Sequence, residues 1–272
     1  MNIAINIQNL NYAYGKYVVL KDVSFCVKRG DFFIIIGPNG SGKSTLMRLI
    51  SGIIRSKTGQ LDLFGMPMQG YNRKALARTI AFVPQMVMVE FPFTVSEVVL
   101  MGRSPHQGIL GIEKREDLEI AKQAIAFTGL EHLSHRKLTQ LSGGELQRVY
   151  IAKAICQEPR IMLLDEPTAS LDIAHQIRVM DLMETLKEER GVTIVMVSHD
   201  VNLAAMYGQN LLLLKEGQIV SSGFPGKVLT YETLEHAYDC TLLVDDSPLG
   251  RFPRVTLVSQ RVLNLPGRSK SI

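Results

Sequence analysis

The stretch Gly37-Pro38-Asn39-Gly40-Ser41-Gly42-Lys43-Ser44 constrains this chain more than any other, because it fits G-x-x-x-x-G-K-[ST] in full. The apolar run Phe32-Phe33-Ile34-Ile35-Ile36 precedes it and reads as a strand buried on both faces. Leu46, Leu49 and Ile50 follow on one face of a helical period. Strand, glycine-rich loop and helix in that order are the setting the pattern needs. The glycines let backbone N–H groups wrap a β-phosphate, and Lys43 reaches the β and γ oxygens. Ser44 is placed to bind Mg²⁺, with Thr45 just behind it. The expectation is a nucleotide site.

A second glycine pair is harder to explain. In Leu141-Ser142-Gly143-Gly144-Glu145, Ser142 and Glu145 read as a capping box ahead of the apolar run Leu146, Val149, Ile151, Ala152 and Ile155. Gly143 and Gly144 then fall in the first helical turn, where glycine weakens a helix. They make sense if something comes close to the backbone, and a bare helix N-terminus suits a phosphate.

The chain of 272 residues suits one large α/β domain with a subdomain, or two small domains. Its 46% apolar content is ample for a core. No run approaches the ~18 apolar residues of a membrane span, and Met1-Asn2-Ile3-Ala4 lacks the marks of a signal peptide. Cys26, Cys156 and Cys240 are too scattered for a zinc site or disulfide framework, which points to a reducing cytosol. A formal charge of +4 is mild, and a mixed solvated surface accounts for so small an excess better than affinity for nucleic acid or lipid, so no nucleic-acid partner is expected.

Ile3, Ile5 and Ile7, then Val19, Val23, Phe25 and Val27, alternate with polar residues as a half-buried antiparallel sheet does. From Phe32 the pattern changes to buried strands followed by helices. The strands expected at Phe32–Ile36, Ile80–Pro84, Ile161–Asp165, Val192–Val197 and Leu211–Leu214 make a mostly parallel sheet covered on both faces. No strand is evident between Gln85 and Pro159, where Ser96–Met101, Glu113–Thr128 and Gly143–Cys156 read as helices. The fold class is therefore α/β, with an N-terminal antiparallel β subdomain and an α-helical insert at about 86–158. The organisation follows: a main domain over 1–240, then a short extension over 241–272 whose end, from Arg261, reads as a loose basic tail.

Four apolar residues, Ile161 to Leu164, place Asp165 at the carboxyl edge of a buried strand, beside the phosphate loop. There Asp165 can hold Mg²⁺ through a water. Glu166 points the other way and can act as general base on the attacking water. His199 stands at the end of the strand Thr193–Ser198, on the same edge. Gln85 closes the strand ending at Pro84, where its amide could ligate Mg²⁺ or orient water. Asp172, after Ala169-Ser170-Leu171, leads into a helix and on its chemistry alone is an N-cap.

Phosphate loop, glutamine, LSGGE, Leu-Leu-Asp-Glu-Pro-Thr, Ser-Leu-Asp and strand-end histidine, in this order, resemble the ATP-binding cassette of ABC transporters over residues 3 to 240. The resemblance implies ATP as the nucleotide. It also implies two copies paired head to tail, with Ser142, Gly143, Gly144 and Glu145 of one facing ATP on the other's phosphate loop. It makes Tyr14 the aromatic that stacks on adenine, although a strand tyrosine packing on a neighbour fits the residue too. It adds Asp172 to the nucleotide-contacting set and assigns Glu166, His199, Gln85 and Lys43 to hydrolysis.

Phe93-Thr94-Val95-Ser96-Glu97-Val98-Val99-Leu100-Met101-Gly102-Arg103-Ser104-Pro105-His106 resembles the segment after the glutamine in ATPases of iron-siderophore, haem and vitamin B12 importers. That likeness implies two transmembrane permease subunits, an external substrate-binding protein reached through them, and a peripheral location on the cytoplasmic face of the inner membrane. Glu145 stands where many cassettes carry Gln. Met86-Val87-Met88-Val89-Glu90-Phe91 is unusually apolar and suits either an adaptable partner surface or packing of the insert. The reading is an ATP-hydrolysing importer subunit for an iron-siderophore, haem, corrinoid or similar chelate. Rivals are an importer of another small solute such as molybdate or zinc, a cassette ATPase acting on DNA or ribosomes, and a phosphotransferase. The last has no use for the LSGGE helix, and neither sustained heptads nor a second phosphate loop supports the DNA or ribosome reading.

Overall fold

The computed structural model describes residues 2–85, 92–108, 111–169, 171–250, 252–259 and 261. The Met-rich segment 86–91, Ser170 and the tail from residue 262 lie outside the described residues. Strands β1 (Ile3–Tyr14) and β2 (Tyr17–Lys28) form an antiparallel hairpin, in line with their alternating pattern. The chain then runs through β3 (Phe32–Ile36), α1 (Lys43–Ile50), β4 (Thr58–Leu63), β5 (Met66–Pro67), α2 (Arg73–Thr79) and β6 (Ile80–Val83). The helical insert holds α3 (Val95–Leu100), α4 (Arg115–Phe127) and α5 (Gly143–Cys156). After it come β7 (Ile161–Asp165), α6 (Ile173–Arg190), β8 (Thr193–Val197), α7 (Val201–Tyr207), β9 (Asn210–Lys215) and β10 (Gln218–Gly223). The described chain closes with α8 (Pro225–Val228), α9 (Tyr231–Tyr238), β11 (Leu242–Asp246) and β12 (Pro253–Leu257).

Among the described residues the main sheet runs β10-β9-β3-β8-β7-β6. Every pairing in it is parallel except the antiparallel edge strand β10. The two-residue period of a strand sends alternate side chains to opposite faces, and the core divides accordingly. Phe32, Ile34 and Ile36 pack with the insert, α6 and α7. Phe33 and Ile35 pack with α1 and the antiparallel sheet β2-β1-β4-β5. Leu211 to Leu214 on β9 split between the two cores in the same way. This is why the strands read as unbroken apolar runs: both faces are covered.

Some expected ends shift by a residue or two. The strand ending at Pro84 stops at Val83, and the one carrying His199 stops at Val197, because the Ser198 hydroxyl turns to accept the Asp200 N–H at 3.1 Å. Helix α3 starts at Val95 because Thr94 and Glu97 close a capping box around its first turn. Within the insert, Arg103 is buried and donates Nε to Asp117 at 2.9 Å and one terminal nitrogen to the Cys156 carbonyl at 2.9 Å and Glu158 at 2.6 Å. It thereby ties α4 to the end of α5.

The extension beyond residue 240 contains an antiparallel hairpin, β11 on β12, that its sequence does not announce. Leu242 and Val255 are buried in the core, and Asn202 on α7 exchanges two hydrogen bonds with the Val255 backbone, at 3.0 and 2.8 Å.

Candidate active site

The phosphate loop joins β3 to α1 through glycines that no other residue could replace cheaply. Gly37 has φ 144°, and a Cβ there would lie 2.1 Å from the Leu214 carbonyl oxygen. Gly42 has φ 102° and faces Leu20 at 2.7 Å. Lys43 folds back so that Nζ donates to the Gly37 and Pro38 carbonyls, each at 2.9 Å, leaving its third N–H free. Pro38, Asn39 and Gly40 form the outer rim, partly or fully exposed, whereas Ser41 is buried with an Oγ that has no hydrogen-bond partner. No side chain caps α1 and no acidic residue occupies its first turn, which contains Ser44 and Thr45. Its amides are thus open to an anion.

Parallel strands ending on one edge gather the remaining groups. Ser44 Oγ, in the first turn of α1, donates to Asp165 Oδ1 at the end of β7 at 3.2 Å. Glu166 is buried and held at φ 51° by its N–H bond to the Val197 carbonyl at 3.2 Å. A bulky residue in the left-handed region is an outlier that the surroundings must enforce, and such outliers cluster at functional sites. The Gln85 amide nitrogen donates to Glu166 Oε2, and His199 Nε2 lies 2.5 Å from Oε1. The structure thus brings Gln85, Glu166, His199, Asp165, Ser44 and Lys43 together at one sheet edge.

The electrostatics fit an absent group carrying both signs of charge. Burial pushes Asp165 above the usual carboxylate range, against the Ser44 hydrogen bond. Burial likewise lowers Lys43, against the pull of Glu166 and Asp165. A phosphate with a divalent cation would supply each with its missing counter-charge. The unpartnered Ser41 hydroxyl and the uncapped helix agree with that fit.

Six expected contributors, Ser142, Gly143, Gly144, Glu145, Asp172 and Tyr14, make no hydrogen bond to this cluster among the described residues. Ser142 and Glu145 do form the capping box, with Glu145 Nα–H to Ser142 Oγ at 3.3 Å and Ser142 Nα–H to Glu145 Oε2 at 2.7 Å. Those bonds from Ser142 hold the Glu145 carboxyl below its ordinary value. Among the described residues, no hydrogen bond or ion pair joins residues 142–145 to residues 37–45. Gly143 opens to space, but Gly144 has a reason within its own chain: a Cβ there would sit 3.0 Å from the His175 ring. His175 is fixed in turn by Asp172, the N-cap of α6, whose carboxylate accepts its N–H at 2.9 Å. Tyr14, half exposed near the β1–β2 turn, meets Tyr12 edge-on with centroids 5.0 Å apart.

One neighbour of the loop was not legible beforehand. Tyr238 on α9 is partly buried against the core, its hydroxyl has no hydrogen-bond partner, and burial pushes the phenol up to about 12, opposed by the nearby Gly37 backbone. Nearly two hundred residues separate it from the loop, and no local pattern connects them.

A parallel sheet with a phosphate loop, an acidic strand end and a helical insert defines an ATP-binding cassette. The ABC transporter family model matches residues 20–169, more than half of the chain, and the chain belongs to that family. Its relatives include the ferric enterobactin transport ATP-binding protein FepC of Escherichia coli K12, 40% identical over 248 residues, spanning 91% of this chain and 92% of that one. The hemin import ATP-binding protein HmuV of Vibrio cholerae is 38% identical over 258 residues, covering 93% and 98%. A metal-chelate type ABC transporter solved in an inward-facing conformation superposes with a TM-score of 0.85 at 31% identity, covering 96% of this chain and all of that one. A dimeric bacterial ABC transporter cassette gives 0.70 at 31% identity, covering 81% and 98%.

Proposed function

We propose that this chain hydrolyses ATP to drive import of an iron-siderophore, haem, corrinoid or similar metal chelate. The observation that carries the hydrolytic reading is the convergence of Gln85 and His199 on Glu166, beside Asp165, Ser44 and Lys43. Lys43 binds the β- and γ-phosphates with the loop amides. Glu166 takes the proton of the attacking water. Gln85 and His199 each engage one of its oxygens, which fixes the carboxylate and still leaves a lone pair on each oxygen for that proton, while His199 stabilises charge on the γ-phosphate. Ser44 and Gln85 would hold Mg²⁺ directly and Asp165 through a water; the ion would neutralise charge on the phosphates.

The import reading rests on the functions of the relatives, and on a solved metal-chelate transporter matched along the whole of its chain. On this reading two copies pair head to tail, with Ser142-Gly143-Gly144-Glu145 of one against ATP on the other; Asp172 joins the nucleotide-contacting set, and Tyr14 stacks on adenine. The pair sits beneath two permease subunits on the cytoplasmic face of the membrane, fed by an external binding protein. No described helix is long and apolar enough to cross a membrane, as suits a peripheral subunit. The cassette then spans 1–240, with the insert at about 86–158.

Glu166→Gln tests the chemistry. ATP hydrolysis should fall by about 10²–10⁴-fold while ATP still binds, and an ATP-bound dimer should accumulate on size-exclusion chromatography. Wild-type turnover would sink the base assignment. Co-purification with the permease, then ATPase stimulation by a ferric siderophore, a corrinoid or molybdate on its binding protein, tests the substrate class.

A further inference from the structure

At the amino edge of the parallel strands, opposite the phosphate loop, Arg29, Arg160 and Arg190 line a cavity of about 250 Å³ together with Phe64 and Gly191. Like charges gathered around one space repel, so something must hold them. Acidic partners do not: none of the three makes an ion pair or a side-chain hydrogen bond among the described residues. Two aromatic rings do this instead. The Arg160 guanidinium lies 3.5 Å from the Phe64 ring centroid and that of Arg29 4.9 Å from it. Arg190 rests on Phe127 at 4.8 Å.

Cation–π contact orients a guanidinium by its face and leaves the N–H fork at its edge unused, whereas a carboxylate would consume that fork. Phe64 itself is held at φ 53° in the turn between β4 and β5, with its N–H bonded to the Ala4 carbonyl at 2.9 Å. Both residues of that two-residue turn, Phe64 and Gly65, have the positive φ such hairpins require, and the turn carries the ring into the cluster. Oriented arginines with free forks around a small cavity match a tetrahedral oxyanion. The volume is below the ~300 Å³ at which drug-sized ligand sites begin, which favours a phosphate or phosphomonoester group over a whole nucleotide.

We infer that this cavity is a second anion site, recognising a phosphate group on the face remote from the ATP site. The group could arrive free or as a lipid headgroup, and the two sources are separable.

Inorganic phosphate is titrated at constant ionic strength, balanced by chloride, with melting temperature as readout. The titration is run on wild type and on Lys43→Ala, which blinds the phosphate loop. A saturable rise should persist in Lys43→Ala and become about tenfold weaker when Arg160→Gln or Arg190→Gln is added; Arg29→Gln serves should either fail to fold. Loss of the rise in Lys43→Ala, or its survival unchanged in both glutamine variants, would overturn the site. Sedimentation with phosphatidic acid vesicles, sensitive to Arg160→Gln, would assign the headgroup as source. A phosphate response without sedimentation would assign a soluble anion.

Discussion

At the scale of single residues, the site is assembled against its own stability. Asp165 ends a buried strand and burial raises its carboxyl above the ordinary range. A folded-state value above the unfolded one means the folded chain holds the proton more tightly. That linkage stabilises the fold below the unfolded value of about 3.9 and is lost as pH rises through the folded one. Ionised Asp165 therefore costs stability at neutral pH. Asp165→Asn should melt higher than wild type at pH 7 without nucleotide, and the gain should shrink as the pH is lowered towards 4. A lower melting temperature at pH 7 would contradict this account. The same variant should lose Mg²⁺-dependent hydrolysis. Asp165, Glu166 and His199 were readable from the sequence because carboxyl ends of apolar runs are recognisible addresses. The Gln85–Glu166–His199 convergence was not, since it depends on β6, β7 and β8 lying side by side.

At the scale of elements, α5 and the insert carry the argument. Ser142 is an exposed N-cap whose partner is Glu145, and nothing from its own phosphate loop reaches it. Ser142→Arg should cost about 1 kcal/mol through the lost cap and leave ATP binding intact. Hydrolysis should fall by about 10²–10³-fold, the scale of one lost transition-state donor. Full ATPase activity would end the shared-site reading. The proposed partner copy is needed to explain only Gly143, because Gly144 already makes room for His175 within its own chain. That contact joins two helices distant in sequence and left no local trace. Arg103 is the second element-scale test. Asp117 is as buried as Arg103, so Arg103→Ala strands a carboxylate and should cost about 3–5 kcal/mol in urea unfolding. In the sequence Arg103 was only part of a likeness; its role as a clasp within the insert appeared with the fold.

At the scale of the whole molecule, the mostly parallel sheet, the antiparallel leader and the helical insert were legible because hydrophobic period changes sharply at Phe32 and again after Gln85. The sheet order was not, since the strand sequence β9-β3-β8-β7-β6 is set by crossovers and not by composition. The terminal hairpin was also hidden. A two-stranded unit is marginal alone, and the three apolar residues of β11, Leu242 to Val244, run straight into Asp245-Asp246; it exists because Leu242, Val255 and Asn202 dock it. Asn202→Ala removes both bonds to Val255 and should cost about 1–3 kcal/mol, with earlier proteolytic cutting within residues 242–257. Unchanged protection would mean that Leu242 and Val255 suffice.

The close approach at Gly37 reaches further than the loop. Leu214 leaves no room for even a methyl group there, and the next residue, Lys215, grips the end of α9 through the His236 carbonyl at 2.6 Å and Asp239 at 2.8 Å. Close-packed interiors pass displacement on instead of absorbing it. The nucleotide cradle and α9 are therefore geared together: a shift at either is felt at the other without any ligand between them.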